Sequence, residues 1–251
     1  MSYNIIIVGA QGRMGQMLIQ CASEDKGLHV LKGVDVNAPD INPEISQAKA
    51  IIDFSHHDAT LRYLEQCRKY NVAAVIGTTG HTETEREGIH NFAKDIPIVY
   101  TSNYSTGMNT LFYLVKRAAE ILGDDYDQEV FEMHHRMKKD APSGSALSLA
   151  EVLASVKNKP LNELARHGRH GMVGARSQDE IGIHSFRGGD IVGDHRVFFS
   201  AMGEQIELSH RATSREAFAR GALRASKWVG GKPPGIYSMQ DVLELGDSRE
   251  V

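Results

Sequence analysis

The stretch Asn4-Ile5-Ile6-Ile7-Val8-Gly9-Ala10-Gln11-Gly12-Arg13-Met14-Gly15 decides the fold of this chain. Ile5–Val8 is an apolar, β-branched run, as expected of a strand buried on both faces of a parallel sheet. Gly9, Gly12 and Gly15 follow in GxxGxxG spacing, and Met17, Leu18, Ile19 and Ala22 then recur at helical spacing. Glycines so placed serve a tight turn, a close approach of backbone to a pyrophosphate, and close helix–strand packing. A second strand, Val30–Val34, ends at Asp35, where an acid can hydrogen-bond the ribose hydroxyls of adenosine. A glycine loop alone could serve only its own turn. Strand, loop, helix, strand and acid in this order predict a dinucleotide site.

Outward from that unit the βα rhythm continues. Ala50–Phe54 reads as a strand and His57–Tyr70 as an amphipathic helix carrying Leu61, Leu64 and Cys67. Val72–Ile76 is a strand ending in Gly77-Thr78-Thr79-Gly80. Thr82, with Glu85 three residues on, is a capping box that opens a helix through Ala93. Ile96–Tyr100 is a further strand, ending in Thr101-Ser102-Asn103-Tyr104. Such alternation predicts a mostly parallel sheet with helices on both faces. Ligands of these sheets bind outside the carboxyl ends of the strands, where Gly77–Thr79 and Thr101–Tyr104 fall. After a helix near Thr110–Leu122 the pattern changes. Gly182–Phe186, His195–Ala201 and Gln205–His210 are strand-like, the last two joined by Met202-Gly203-Glu204 as a hairpin. Between Val156 and Asp179 the chain reads as one long polar loop, and Ser214–Trp228 as a final long helix. The expected class is α/β: a Rossmann-like dinucleotide domain with an α+β insertion.

The segment EVFEMHHRMKKDAPSGSALSLAEVL, residues 129–153, points to chemistry. Val130–Met133 reads as a short strand, and Ser143-Gly144-Ser145 as the N-terminal cap of a helix. The free N–H groups that open a helix accept an anion readily. Arg136, Lys138 and Lys139 add positive charge, and His134 and His135 can titrate near neutrality. A lone histidine at a strand end is more often structural than catalytic, and two lysines alone would be a solvated loop. Their concentration within a dozen positions favours a site for a small anion that gains or loses a proton. Ser143, Lys139 and His135 are the expected anchors of that anion.

Composition narrows the class. The 251 residues carry a net charge of −4, which lacks the basic excess of a nucleic-acid binder. Cys21 and Cys67 have no CxxC spacing and are expected as buried reduced thiols. No apolar stretch approaches a membrane span, and MSYNIIIVGAQGR lacks the pattern of a signal peptide. A cytoplasmic enzyme with no nucleic-acid or membrane partner is expected.

GAQGRMG, DFS, GTTG, TSNYS, EMHHRMKKDAPSGSA and RGGDIVGDH occur in that order over about residues 4 to 245. Together they resemble the 4-hydroxy-tetrahydrodipicolinate reductase (dihydrodipicolinate reductase) family of lysine and diaminopimelate biosynthesis; HHxxKxDAPSG is the specific core and the glycine loop is not. The resemblance implies that residues 1–105 and 215–251 form the cofactor domain. Residues 106–214 would form a substrate-binding and tetramerisation domain with a mixed sheet. A homotetramer is implied, packed through strands around Val197–Phe199 and Ile206–Leu208, with the two domains closing over bound ligands. The implied reaction passes a hydride from NADH or NADPH to a cyclic unsaturated dicarboxylate, with loss of water. His134 matches the family's acid–base position and Lys138 its proton-donating lysine. His135 matches a substrate-contacting histidine, and Gly144 and Ser145 the pair that holds a carboxylate. The cofactor positions carried over are Gly9, Ala10, Gln11, Gly12, Arg13, Met14, Asp35, Gly77, Thr78, Thr79, Thr101, Ser102, Asn103 and Tyr104.

Two positions depart from the family's pattern. Ser145 stands where threonine is common and keeps the hydroxyl. Val36 follows Asp35 where many members have an arginine suited to a 2′-phosphate, so NADH is favoured, with Arg13 or Lys32 as partial substitutes. Two rival classes are weaker. A metal-dependent hydrolase could draw on His134, His135, His167 and His170, but no HExxH or Cys/His ligand spacing occurs, so no metal is expected. A non-catalytic NAD(P)-sensing protein would be expected to lose the histidine and lysine, and both are present.

Overall fold

The computed structural model describes residues 2–35 and 41–246; Val36 lies outside the described residues. In chain order the first elements are β1 (Tyr3–Val8), α1 (Arg13–Glu24), β2 (Leu28–Val34), β3 (Ala50–Asp53), α2 (His57–Tyr70), β4 (Ala73–Ile76), α3 (Glu83–Phe92) and β5 (Pro97–Tyr100). Then come α4 (Thr106–Leu122), β6 (Asp127–His134), α5 (Gly144–Val156), α6 (Leu161–Leu164), β7 (Ala165–His167), β8 (Ile181–Arg187), β9 (Gly193–Ala201) and β10 (Glu204–Ala212). α7 (Glu216–Val229), β11 (Gly235–Tyr237) and α8 (Met239–Val242) complete the series. The chain divides into two compact units, 1–106 with 215–251, and 107–214.

The first unit is built on a six-stranded sheet, β11-β5-β4-β3-β1-β2, parallel throughout. Ile5, Ile6, Ile7 and Val8 are wholly buried because both faces are covered. Ile5 and Ile7 meet α1 and α7 through Leu18, Cys21, Ala222 and Ala225. Ile6 and Val8 point the other way, into a cluster with Leu64, Cys67 and Ile89 of α2 and α3. Each such side chain contributes about 2 kcal/mol relative to exposure. The chain passes from β1 to β2 on one side and returns to β3 on the other. That reversal puts the expected ligand crevice at the ends of β1 and β3. α2 stops at Asn71, a left-handed C-cap at φ 54°, and α3 opens with the Thr82–Glu85 capping box.

The second unit holds a mixed sheet, β10-β9-β6-β8-β7. β9 runs antiparallel to β6 and β10, while β8 runs parallel to β6 and β7. Along β6 the buried positions alternate: Gln128, Val130, Glu132 and His134 face inward. Val130, Ile181, Ile183, Val197 and Phe199 pack on α4 and α5 through Leu111, Val115, Leu149 and Leu153.

Several sequence expectations are corrected. The long loop over 156–179 contains α6 and β7; a four-residue helix and a three-residue strand are too short to show periodicity. β6 is eight residues, longer than Val130–Met133. Val197 and Phe199 point into their own unit's core, while Phe198 between them lies on the opposite face of β9. The C-terminal contribution to the first sheet includes a strand, β11, as well as helices.

Candidate active site

The glycine loop follows from what neighbouring backbone leaves room for. Gly9 sits at φ 80°, and a Cβ there would lie 2.3 Å from the Phe54 carbonyl oxygen. A Cβ at Gly15 would lie 2.1 Å from the Gly9 oxygen, so α1 approaches the strand end as only glycine permits. Gly12 is the N-cap of α1 and has no side chain to cap with, leaving the helix's first N–H groups to an anion. Asp35 Oδ2 accepts from Gln11 N at 2.8 Å, tying the acid to the loop. A cavity of about 280 Å³ opens here, lined by Gly9, Gly12, Asp35, Phe54, His56 and Tyr63 among others. These residues fit the adenosine and pyrophosphate of a dinucleotide. Lys32 is paired with Glu44 at 3.1 Å, and Arg13 and Gln11 are exposed.

A second cavity of about 320 Å³ lies at the ends of β4 and β5, lined by Thr78, Thr79, His81, Tyr100, Thr101 and Ser102 among others. A Cβ at Gly77 would enter the Phe54 ring, at 2.2 Å. Asp53, which sequence reading left without a role, organises this rim. Buried at 1% exposure, its carboxylate accepts from Ser55 N and Oγ, Thr60 Oγ1 and Thr78 Oγ1, at 2.5–3.0 Å. Tyr104 is wholly inside, its hydroxyl shared between the carbonyls of Ile76 and Val99 at 2.9 and 3.0 Å. Its side chain therefore fixes the strand ends and lines neither of these two cavities. Asn103 Oδ1 accepts from Ser105 N, holding the turn before α4.

In the 107–214 unit His134 ends β6, with Nδ1 2.6 Å from Glu132 Oε2. Arg187, opposite His134 in β8, donates to both oxygens of Glu132 at 2.7 Å. Ser143 N donates to Glu132 Oε1 at 3.2 Å. Burial opposes the charge on Glu132, yet the bonds from His134 and Arg187 hold its carboxyl well below the ordinary range. Ser143 is the N-cap of α5; its hydroxyl accepts from Ala146 N and lies 3.2 Å from His195 Nε2. Ser143 is so used; next to it at the start of the helix, Gly144 is exposed and Ser145 part-exposed. Burial, then the charge of His134, brings His195 down to about 4. The rings of His134 and His195 lie 5.1 Å apart. Lys138 Nζ pairs with Asp140 Oδ1 at 2.9 Å, and Arg187 donates to the Asp140 carbonyl. His135 is half-buried, while Lys139 is exposed.

Thus His134, Lys138, Ser143 and Gly144 belong to one local constellation. Glu132, Arg187 and His195, for which the sequence reading gave no role, complete it. Their signal was present: two titratable residues at i and i+2 on the inward face of a strand, and an RGGD turn. That turn pairs back on the histidines, with Gly188 N donating to His134 O and Arg136 N to Gly189 O.

The family model described as Dihydrodipicolinate reductase, N-terminus, matches residues 3–104, and its C-terminus counterpart matches 107–243. A 4-hydroxy-tetrahydrodipicolinate reductase of Akkermansia muciniphila is 47% identical over 96% of this chain and 98% of that protein. One from Syntrophus aciditrophicus is 43% identical over 95% and 97%. In fold, the chain is similar to a dipicolinate-bound dihydrodipicolinate reductase from Paenisporosarcina sp. TG-14, with TM-score 0.77, 22% identity, and 96% and 99% coverage. A meso-dapdh mutant from Clostridium tetani, with DAP, is more distant at TM-score 0.55, 13% identity, and 99% and 98% coverage. With both halves of the family matched and relatives above 40% identity along nearly the whole length, the chain belongs to the dihydrodipicolinate reductase family.

Proposed function

We propose that this chain reduces 4-hydroxy-tetrahydrodipicolinate to tetrahydrodipicolinate in the cytoplasm, with His134 as acid–base group and Lys138 as proton donor. The observation that carries the reading is His134 held by a buried carboxylate at a strand end, beside the N-terminus of α5. When bound, the nicotinamide dinucleotide supplies the hydride. This chain's own part is to hold the ring carboxylates and to deliver a proton to the carbon left electron-rich. Gly144 and Ser145 offer the helix N-terminus to one carboxylate, with His135 and Lys139 as further anchors. Gly9–Met14, Asp35, Gly77–Thr79 and Thr101–Asn103 would hold the dinucleotide, Tyr104 supporting them from within. NADH is the favoured cofactor: Asp35 places a carboxylate where a 2′-phosphate would sit, and Lys32 is engaged by Glu44.

A homotetramer is the proposed assembly. The face of the mixed sheet turned away from α4 and α5 carries Phe131, Met133, Phe198 and Phe186, the last 47% exposed. The test of activity is loss of the NADH absorbance band on adding freshly made substrate, with pyridine-2,6-dicarboxylate as competitor. Inhibition should weaken as salt rises. Tight dinucleotide binding without turnover would leave the sensing role instead.

A further inference from the structure

We propose that Glu132 and Arg187 form a positioning pair for His134, fixing the proton on Nδ1 and leaving Nε2 as the exchanging atom. The inference rests on the reading of His134 as the acid–base group. A carboxylate only accepts, so the nitrogen 2.6 Å from Glu132 Oε2 must carry hydrogen in either protonation state of the ring. Nε2 is then a lone pair when the ring is neutral and a donor when it is charged. Its edge is kept clear by Gly193, where a Cβ would stand 3.2 Å from Nε2. Glu132 has no other freedom. It is wholly buried, and three further N–H donors fix its two oxygens: two from Arg187 and one from Ser143.

Charge decides why a pair is used. Glu132 alone, buried against the ring, would bind the imidazolium so firmly that the proton could not leave. Arg187 cancels that charge through two parallel bonds. The other titratable neighbours on this face are His195 of β9, which burial keeps neutral near pH 7, and beside it His210 of β10, whose imidazole burial likewise lowers. Asp194, on the opposite face of β9, is taken up by Arg196 and Arg211. Lys138 is balanced by Asp140. With the ring neutral, the charges of Glu132 and Arg187 sum to zero, so neither leaves an uncompensated charge beside His134.

The two partners must therefore act in opposite senses. In Glu132→Gln the limb of the kcat–pH profile that belongs to His134 should move to lower pH, by about one to two pH units. In Arg187→Met it should move to higher pH by a similar amount. Each should lower kcat about 10- to 100-fold, within the range of impaired proton transfer, with NADH affinity unchanged. Arg187→Lys should restore much of the profile. The double variant Glu132→Gln/Arg187→Met, neutral at both positions, should return the limb toward wild type while keeping the kcat loss, and serves if a single variant does not fold. Limbs that move the same way, or stay put while kcat falls, would overturn the proposal and make the cluster merely structural. The parent reading fails separately: near-wild-type turnover in His134→Gln removes His134 itself.

Discussion

Replacing His195 by Gln tests how the second unit tolerates a buried histidine. The amide keeps a group near Ser143 Oγ, where Nε2 now lies at 3.2 Å, but it cannot titrate. In the folded chain burial holds the imidazole at about 4 against an ordinary 6.5. The unfolded chain therefore takes a proton below pH 6.5 that the folded chain refuses. The linked stability is fully present above 6.5 and is lost progressively as pH falls to 4. At 1.36 kcal/mol per pH unit the whole loss is about 3 kcal/mol, of which about 2 kcal/mol falls between 6.5 and 5. That upper window precedes titration of the carboxyls, which Glu132 and Asp194 would dominate at lower pH. Urea unfolding of both proteins at pH 8, 6.5, 5.5 and 5 should show wild type losing about 2 kcal/mol more than His195→Gln. Parallel stability curves would refute the argument, because they would mean the imidazole is solvated or paired when charged.

Other outcomes are equally direct. The ratio of kcat/KM for NADH to that for NADPH should be at least one at a fixed ionic strength; a preference for NADPH beyond tenfold would point to Arg13 or Lys32 as phosphate ligand. His134→Gln should lower kcat by about 10²- to 10⁴-fold, Lys138→Ala comparably, and Lys139→Ala far less, with NADH binding intact in all three. Gly15→Ala puts a methyl where backbone already stands, 2.1 Å from the Gly9 oxygen. It should weaken NADH and NADPH alike in a fluorescence titration, by about tenfold or more, a cost of over 1.4 kcal/mol; unchanged affinity would show that α1 does not approach a bound pyrophosphate.

What the sequence made legible was whatever local chemistry alone determines. α2 spans the residues His57–Tyr70 that the apolar spacing predicts, and α3 opens on the capping box read from Thr82 and Glu85. β1, its glycine turn and α1 were readable because Gly9 and Gly15 answer to steric limits visible in the spacing. The elements that escaped depend on distant partners. β11 is three residues long and exists because Pro97–Val99 offers an edge to pair with. Glu132 was hidden inside an apolar run, and its role appears only once β8 brings Arg187 beside it. Tyr104 shows the converse: a residue at a position expected to bind cofactor whose ring serves the framework.

The sheet closed by β11 has a consequence for synthesis. β1 to β5 leave the ribosome first, yet α7, which covers one face of them with Ala219, Ala222 and Ala225, is encoded after the entire 107–214 unit. At about 5–20 residues per second that unit takes on the order of 5–20 s to translate. During this interval Ile5, Ile7, Val75 and Val99 lack their cover from α7, beside the unpaired edge of β5. The middle unit, contiguous in sequence, can fold within the same interval. Nascent chains should thus pass through a state with a finished middle and an unfinished beginning, and translation stopped before residue 216 should leave the parallel sheet prone to aggregation while the mixed sheet stays sound.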